Sequence, residues 1–146
     1  MIHLLNFIGD QRNRLQATIR QLSCTQCHVF SVDIDTQLQE KAAQKLVNAG
    51  ISNFTLINAD GIYGVEKHSP FDVIFVSGSL PVVPESLKNQ LSIGGRMIVT
   101  IGDSPAMTVR LIRRESQTAF SETKLYETCI ERLKGYETIE PDRFVF

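Results

Sequence analysis

The chain has 146 residues, of which 42% are hydrophobic and 21% are charged, and its formal net charge is −1. This length suits one ordinary domain, and the average globular composition excludes disorder, collagen and coiled coil as the whole structure. There is no basic excess typical of nucleic-acid binders, no apolar stretch near the ~20 residues of a membrane span, and no signal-peptide pattern at the start. We therefore expect a soluble, cytoplasmic, single domain over residues 1–146.

Five apolar runs have the length and the β-branched content of buried strands. They are residues 4–8, 29–34, 54–57, 71–76 and 97–101. Continuous apolar runs of this kind suit strands that are covered on both faces, as in a parallel sheet.

Segments with helical features lie between these runs. Residues 11–22 carry one apolar face. Thr36 followed by Gln39 is a capping-box pattern, and Gly50 stands where a left-handed residue ends a helix. The apolar stripe between them consists of Leu38, Ala42 and Leu46. This spacing predicts an amphipathic helix.

A third helix is predicted to start at Pro84, whose missing N–H is not needed in a first turn. Leu87 and Leu91 are expected to face inward, and Gly94-Gly95 to turn the chain into the fifth strand. The β-α-β-α-β pattern predicts an α/β fold with a Rossmann-like sheet, mostly parallel. Three antiparallel strands are predicted to follow as the tail of the domain, at residues 107–112, 123–130 and 143–146, separated by turns at 114–118 and 134–141.

The carboxyl ends of parallel strands are where ligands bind in such a sheet. Asp33 ends the second run, and its carboxylate can accept hydrogen bonds from both hydroxyls of a ribose. The alternative is that Asp33 only caps the next helix, although Asp35 could also be that cap. Asp60-Gly61 closes the third run. The Asp60 carboxylate can accept a hydrogen bond from an exocyclic amine, and Gly61 lets a flat base approach the backbone. An ordinary turn without a ligand is equally consistent with this sequence.

The loop after the first strand carries one glycine, Gly9, where a cofactor-wrapping loop usually has several. Asp10 brings negative charge to the next helix start, which stabilises the helix dipole but repels a cofactor carboxylate unless Arg12 or Arg14 offsets it. The sequence therefore leaves open a capped helix without a ligand.

Cys24, Cys27 and His28 match a haem-attachment pattern, and the two cysteines alone match half of a redox or zinc site. Covalent haem attachment would require export, and a zinc site needs two more ligands. The remaining candidates are isolated in the sequence: Cys129, His3 and His68. We expect no metal, reduced thiols in a reducing compartment, and a solvated His68; no catalytic motif stands out.

Three blocks in order and spacing resemble class I S-adenosylmethionine methyltransferases, at residues 31–35, 53–61 and 70–74. The long block 77–91, followed by Gly94-Gly95-Arg96, more specifically resembles the protein-L-isoaspartate O-methyltransferase family. The chain end, at residues 125–128 and 143–146, is similar to bacterial members of that family.

The resemblance implies methyl transfer from S-adenosylmethionine to the α-carboxylate of an L-isoaspartyl residue in a protein or peptide. From charge and composition we expect no nucleic-acid or membrane partner. The resemblance assigns Asp33 to the cofactor ribose and Asp60 to the adenine amine, and no residue to catalysis. The candidate cofactor-binding residues are Gly9, Asp33, Ile34, Asp60, Gly61 and Ser77. The candidate substrate-loop residues are Gly78, Ser79, Leu80 and Pro81.

Two departures from the family pattern affect the donor pocket. We expect this chain to lack the section that the family carries before the first strand, with its substrate-side serine and lid, and residues 9–14 stand where the family has a glycine-rich loop. A non-catalytic methyltransferase-like domain, kept for partner binding or with no retained role, is therefore one alternative. It predicts no cofactor binding and a homodimer that covers the surface left bare. A generic nucleotide-binding module is another, but it explains the acids without explaining residues 70–96.

Overall fold

The computed structural model describes residues 2–7 and 26–133 of the chain. The strands are β1 (Ile2–Phe7), β2 (Cys27–Asp33), β3 (Phe54–Asn58), β4 (Phe71–Leu80), β5 (Leu91–Asp103), β6 (Ala106–Arg114) and β7 (Phe120–Thr128). The helices are α1 (Thr36–Asn48) and α2 (Glu85–Lys88), and 3-10 turns cover Gly61–Tyr63 and Glu66–His68.

Within the described ranges, seven strands form one sheet in the order β3-β2-β1-β4-β5-β6-β7. The first five pair in parallel, and β6 and β7 add antiparallel at one end. The predicted α/β fold, mostly parallel with antiparallel strands at the end of the chain, is confirmed. The predicted helix 11–22, turn 134–141 and strand 143–146 lie outside the described residues.

Apolar side chains cover both faces of the sheet. On one face, Leu46 of α1 is fully buried together with Val29 of β2, and Phe54 and Val73 pack against them. The larger cluster lies on strands β2, β4, β5 and β6 and on the segments after β3 and β4. The members contributed by those connecting segments are Ile62, Val83 and Leu87. The predicted stripe of α1 is therefore buried at Leu46, while Leu38 and Ala42 are half-buried.

The start of α1 differs from the predicted capping box. Asp35, not Thr36, is the N-cap, and its Oδ1 accepts from the backbone N–H groups of Gln37 (3.0 Å) and Leu38 (3.2 Å). A carboxylate at this position also interacts favourably with the helix dipole. Gln39 does not reach back to the cap, because its buried side chain donates to the carbonyls of two strands.

Asp35→Ala is expected to lower the free energy of unfolding by about 1 kcal/mol, because two N–H groups lose their acceptor. This corresponds to a fall in Tm of roughly 3 °C for a domain of this size. Thr36→Ala is the matched control and should change Tm little, since Thr36 does not cap the helix. A larger loss for Thr36→Ala than for Asp35→Ala, measured by thermal unfolding, would show the cap assignment to be wrong.

Helix α2 is shorter than predicted. It ends at Lys88, and Leu91 belongs to β5, where it pairs with Phe71. Gly94 (φ +83°) and Gly95 lie inside β5 at a register shift against β4, so they interrupt the regular pairing and do not form the predicted turn. No helix in residues 2–7 or 26–133 is long and apolar enough to cross a membrane.

Candidate functional site

The carboxyl ends of β2 and β3 are joined by hydrogen bonds to one backbone carbonyl. The carbonyl oxygen of Asp33 accepts from the backbone N–H of Ala59 (3.2 Å), from Asn58 Nδ2 (3.3 Å) and from Gln39 Nε2 (3.4 Å). Gln39 also donates to the carbonyl of Ile57 on β3. Three donors on one carbonyl fix where β2 ends, and with it the backbone position of Asp33.

The carboxyl group of Asp33 is buried, with 7% of the residue exposed. Its Oδ1 accepts from the backbone N–H of Asp35 at 2.8 Å. The next residue, Ile34, is 46% exposed although it is apolar. The strand therefore ends in a fixed carboxylate beside an apolar side chain at the surface, an arrangement that suits a ribose next to a flat base.

Asp60 lies after β3, on the same edge of the sheet. Its Oδ1 accepts from the backbone N–H of Ile62 at 3.1 Å and caps the turn Gly61–Tyr63, while Ile62 packs into the core. Because Asn58 pairs with Asp33 in the parallel register, the two aspartates stand at neighbouring strand ends. The structure thus brings together Asp33, Ile34, Asp60 and Gly61 at one edge, whereas Gly9 lies outside the described residues.

Gln90 holds the loop that carries Asp60, a role that no sequence pattern predicts. The buried Gln90 side chain accepts from the N–H of Val65 (2.8 Å) and donates to the carbonyl of Tyr63 (2.7 Å). Gly64 between them has φ +67°. A single glutamine between a helix and a strand carries no periodic pattern, so only the tertiary contact reveals its function.

Strand β4 extends beyond the predicted residues 71–76 and includes most of the predicted substrate loop. Gly78, Ser79 and Leu80 are buried strand residues, and only Pro81 of the four lies beyond the strand. Ser77 is half-buried within the register shift that separates the pairs of Phe75 and Ser79 with β5. The description of residues 78–80 as a loop is therefore corrected, because they continue the sheet.

Residues 129–133, here called the crossing segment, return from β7 to the carboxyl end of β4. The N–H of Ser79 donates to the carbonyl of Glu131 (2.8 Å), and the N–H of Leu133 donates to the carbonyl of Ser79 (3.1 Å). Since β5 pairs with one edge of β4, the crossing segment lies along the other edge, which β1 borders as far as Val76. A Cβ on Gly78 would come within 2.7 Å of the Leu133 side chain, so this glycine permits the close packing.

The cysteine and histidine candidates lie away from this edge. Cys27 begins β2 at the opposite, amino end, and Cys24 lies outside the described residues. His28 Nε2 is 2.8 Å from Thr55 Oγ1, and His68 stacks on Phe30 with ring centroids 4.6 Å apart, so His68 is not simply solvated. No group of three or more His, Cys, Asp or Glu residues in residues 26–133 is arranged to hold a metal ion.

Comparison with known proteins places this arrangement in a family. The profile of the family "Protein-L-isoaspartate(D-aspartate) O-methyltransferase (PCMT)" matches residues 8–131. Protein-L-isoaspartate O-methyltransferase of Brucella anthropi is 38% identical over 125 residues, which cover 84% of this chain and 55% of the relative. That of Koribacter versatilis is 31% identical over 122 residues, with coverages of 84% and 54%. The chain therefore spans about half the length of these curated relatives.

Solved structures agree with the sequence comparison. A protein-L-isoaspartate O-methyltransferase structure superposes with a TM-score of 0.78 at 28% identity, covering 92% of this chain and 43% of the other. A second such structure, from Plasmodium falciparum in complex with S-adenosyl-L-homocysteine, has a TM-score of 0.72 at 20% identity with coverages of 91% and 66%, which supports the fold. On the strength of the profile match and the relatives together, the chain belongs to the protein-L-isoaspartate(D-aspartate) O-methyltransferase family.

Proposed function

We propose that the chain binds S-adenosylmethionine at the carboxyl edge of its sheet and transfers the methyl group to the α-carboxylate of L-isoaspartyl residues in proteins or peptides. The observation that carries this proposal is the buried Asp33 carboxylate at the end of β2, which is held by the backbone N–H of Asp35 and followed by the exposed apolar Ile34. Membership of the family supports the choice of donor and acceptor.

The donor side is assigned to residues of β2 and of the loop after β3. The Asp33 carboxylate accepts hydrogen bonds from the two ribose hydroxyls, and Ile34 covers one face of the adenine. Asp60 accepts the exocyclic amine, while Gly61 allows the base to lie against the backbone. These residues fit the cofactor because the carboxylate, the apolar surface and the glycine stand at adjoining strand ends. When bound, the cofactor supplies a methyl group that is activated by the positive charge on sulfur.

The acceptor side is assigned to the end of β4, at residues 77–81. An α-carboxylate is already ionised at neutral pH, so the reaction needs no general base from the protein. The protein's contribution is to align the carboxylate with the methyl group and to limit water around them. Ser77 stands half-buried at the register shift of β4, and the half-buried Leu133 supplies apolar surface beside it.

A non-catalytic methyltransferase-like domain is the second candidate. The feature that favours it is the loop at residues 9–14, which has one glycine where the family has a glycine-rich run. Such a domain would keep the sheet but no longer bind the cofactor.

A homodimer and a cytoplasmic location also remain predictions.

Isothermal titration of the purified chain with S-adenosylhomocysteine tests the donor site. We expect saturable binding of one ligand per chain, and a flat titration at millimolar ligand would contradict the proposal and favour the non-catalytic domain. Methyl transfer is then measured on an L-isoaspartyl peptide, with the L-aspartyl peptide of the same sequence as the matched control. Binding without transfer to the isoaspartyl peptide would retain the donor site and refute the acceptor assignment.

A further inference from the structure

Arg132 joins the crossing segment to the turn between β5 and β6. Its Nη1 donates to the carbonyl of Gly102 at 3.1 Å, and its Nη2 forms an ion pair with the carboxylate of Asp103. The Arg132 side chain is 20% exposed and that of Asp103 is 62% exposed. The guanidinium therefore sits mostly inside the protein, with one carbonyl and one carboxylate as its partners in the described part of the chain.

The positions of the strands show which way this side chain runs. Arg132 pairs with Ser79 along the edge of β4 that faces away from β5. Its partners Gly102 and Asp103 are the last two residues of β5, one and two residues beyond Ile101, which pairs with Leu80. The Arg132 side chain must therefore pass across the carboxyl end of β4. It thereby connects the crossing segment, on one edge of β4, with the end of β5 on the other edge. The end of β4 between them carries the residues that we assign to the acceptor side.

We propose that Arg132 is a positioning residue for the acceptor side of the site. The proposal rests on the proposed function, and it goes beyond it by naming a residue that acts through the crossing segment without touching the substrate. By tying that segment to the β5–β6 turn, Arg132 keeps Glu131 and Leu133 hydrogen-bonded to Ser79. The segment then borders the isoaspartyl peptide in one fixed arrangement, while the donor residues at the end of β2 and in the loop after β3 are unaffected.

The test compares Arg132→Gln with Asp103→Asn, because the two variants change the local charge in opposite directions. Each breaks the same ion pair, so a positioning role predicts that each raises KM for the isoaspartyl peptide, by about five- to tenfold, with kcat changed less than about twofold. Arg132→Lys can keep one of the two contacts and should restore part of the loss. The double variant should be no worse than Arg132→Gln alone, because the two residues form one interaction.

Two controls separate this effect from general loss of structure or of the cofactor site. The affinity for S-adenosylhomocysteine should stay within about twofold in all variants, since the contacts of Arg132 with Gly102 and Asp103 lie on the acceptor side. Lys124→Gln removes an exposed ion pair with Glu127 on β7 and should leave KM unchanged. Hydrogen exchange at the amides of Ser79 and Leu133 should become faster in Arg132→Gln, because both amides bond between β4 and the crossing segment.

The outcomes distinguish this inference from the proposed function. If Asp103→Asn lowers KM while Arg132→Gln raises it, Arg132 attracts the substrate by its charge and the positioning role is overturned. Unchanged KM values in both variants would overturn it as well. If the parent chain transfers no methyl group, the proposed function fails by that result. Amide hydrogen exchange alone then tests whether Arg132 holds the crossing segment, and unchanged protection of the Leu133 amide in Arg132→Gln refutes that role.

Discussion

Asp33→Ala is expected to weaken the binding of S-adenosylhomocysteine by about 100-fold or more, measured by isothermal titration. The reason is that the carboxylate would accept two ribose hydroxyls, and each hydrogen bond to a charged group contributes about 1.5–3 kcal/mol. The group is already held in place by the contacts of its own backbone carbonyl and by the N–H of Asp35. Little ordering is therefore left to occur when the ligand binds.

Two further variants give this prediction its controls. Asp33→Asn keeps a side-chain oxygen for the N–H of Asp35 but removes the charge, so its affinity should fall between those of the parent and Asp33→Ala. Glu40→Gln removes a carboxylate that is exposed on α1 and should leave the affinity unchanged. Equal affinities for Asp33→Ala and the parent, with both proteins folded by circular dichroism, would refute the ribose assignment.

The sequence predicts the sheet well because burial on both faces selects continuous apolar strands. The rule that ligands meet parallel strands at their carboxyl ends then places Asp33 and Asp60 at one edge without any coordinates. The errors fall where one pattern fits two structures. Leu87 and Leu91 are four residues apart and fit a helix face, yet Leu91 is the first residue of β5. An apolar pair at this spacing does not decide between the two.

The parts of the site that could not be predicted are tertiary connections between polar side chains and backbone carbonyls. Gln39, Gln90 and Arg132 each reach backbone groups that lie between 6 and 30 residues away in the chain. Such contacts carry no periodicity, because a single long polar side chain suffices for each. The capping error has the same origin only at Gln39, which donates to a strand carbonyl that local spacing does not specify, whereas Asp35 caps the helix through ordinary local spacing.

Gly64→Ala is expected to destabilise the protein by about 4 kcal/mol, the largest loss of stability among these variants. With φ +67° and ψ −154°, Gly64 occupies a region that is essentially restricted to glycine, and other residues there cost about 1–3 kcal/mol. The new Cβ would also lie 2.2 Å from Gln90 Oε1. The buried Gln90 side chain would have to move, and its two hydrogen bonds contribute about 1 kcal/mol each.

Gly50→Ala is the matched control, because it isolates the backbone contribution from the steric one. Gly50 ends α1 with φ +74°, but a Cβ there would meet nothing within 4 Å. Its substitution should cost only about 1 kcal/mol, or roughly 3 °C in Tm, against about 10 °C for Gly64→Ala. Similar losses in the two variants would show that Gln90 yields without cost and does not hold the loop. A selective loss in Gly64→Ala would instead show that Gln90, the residue before β5, holds the loop in which Asp60 lies four residues earlier.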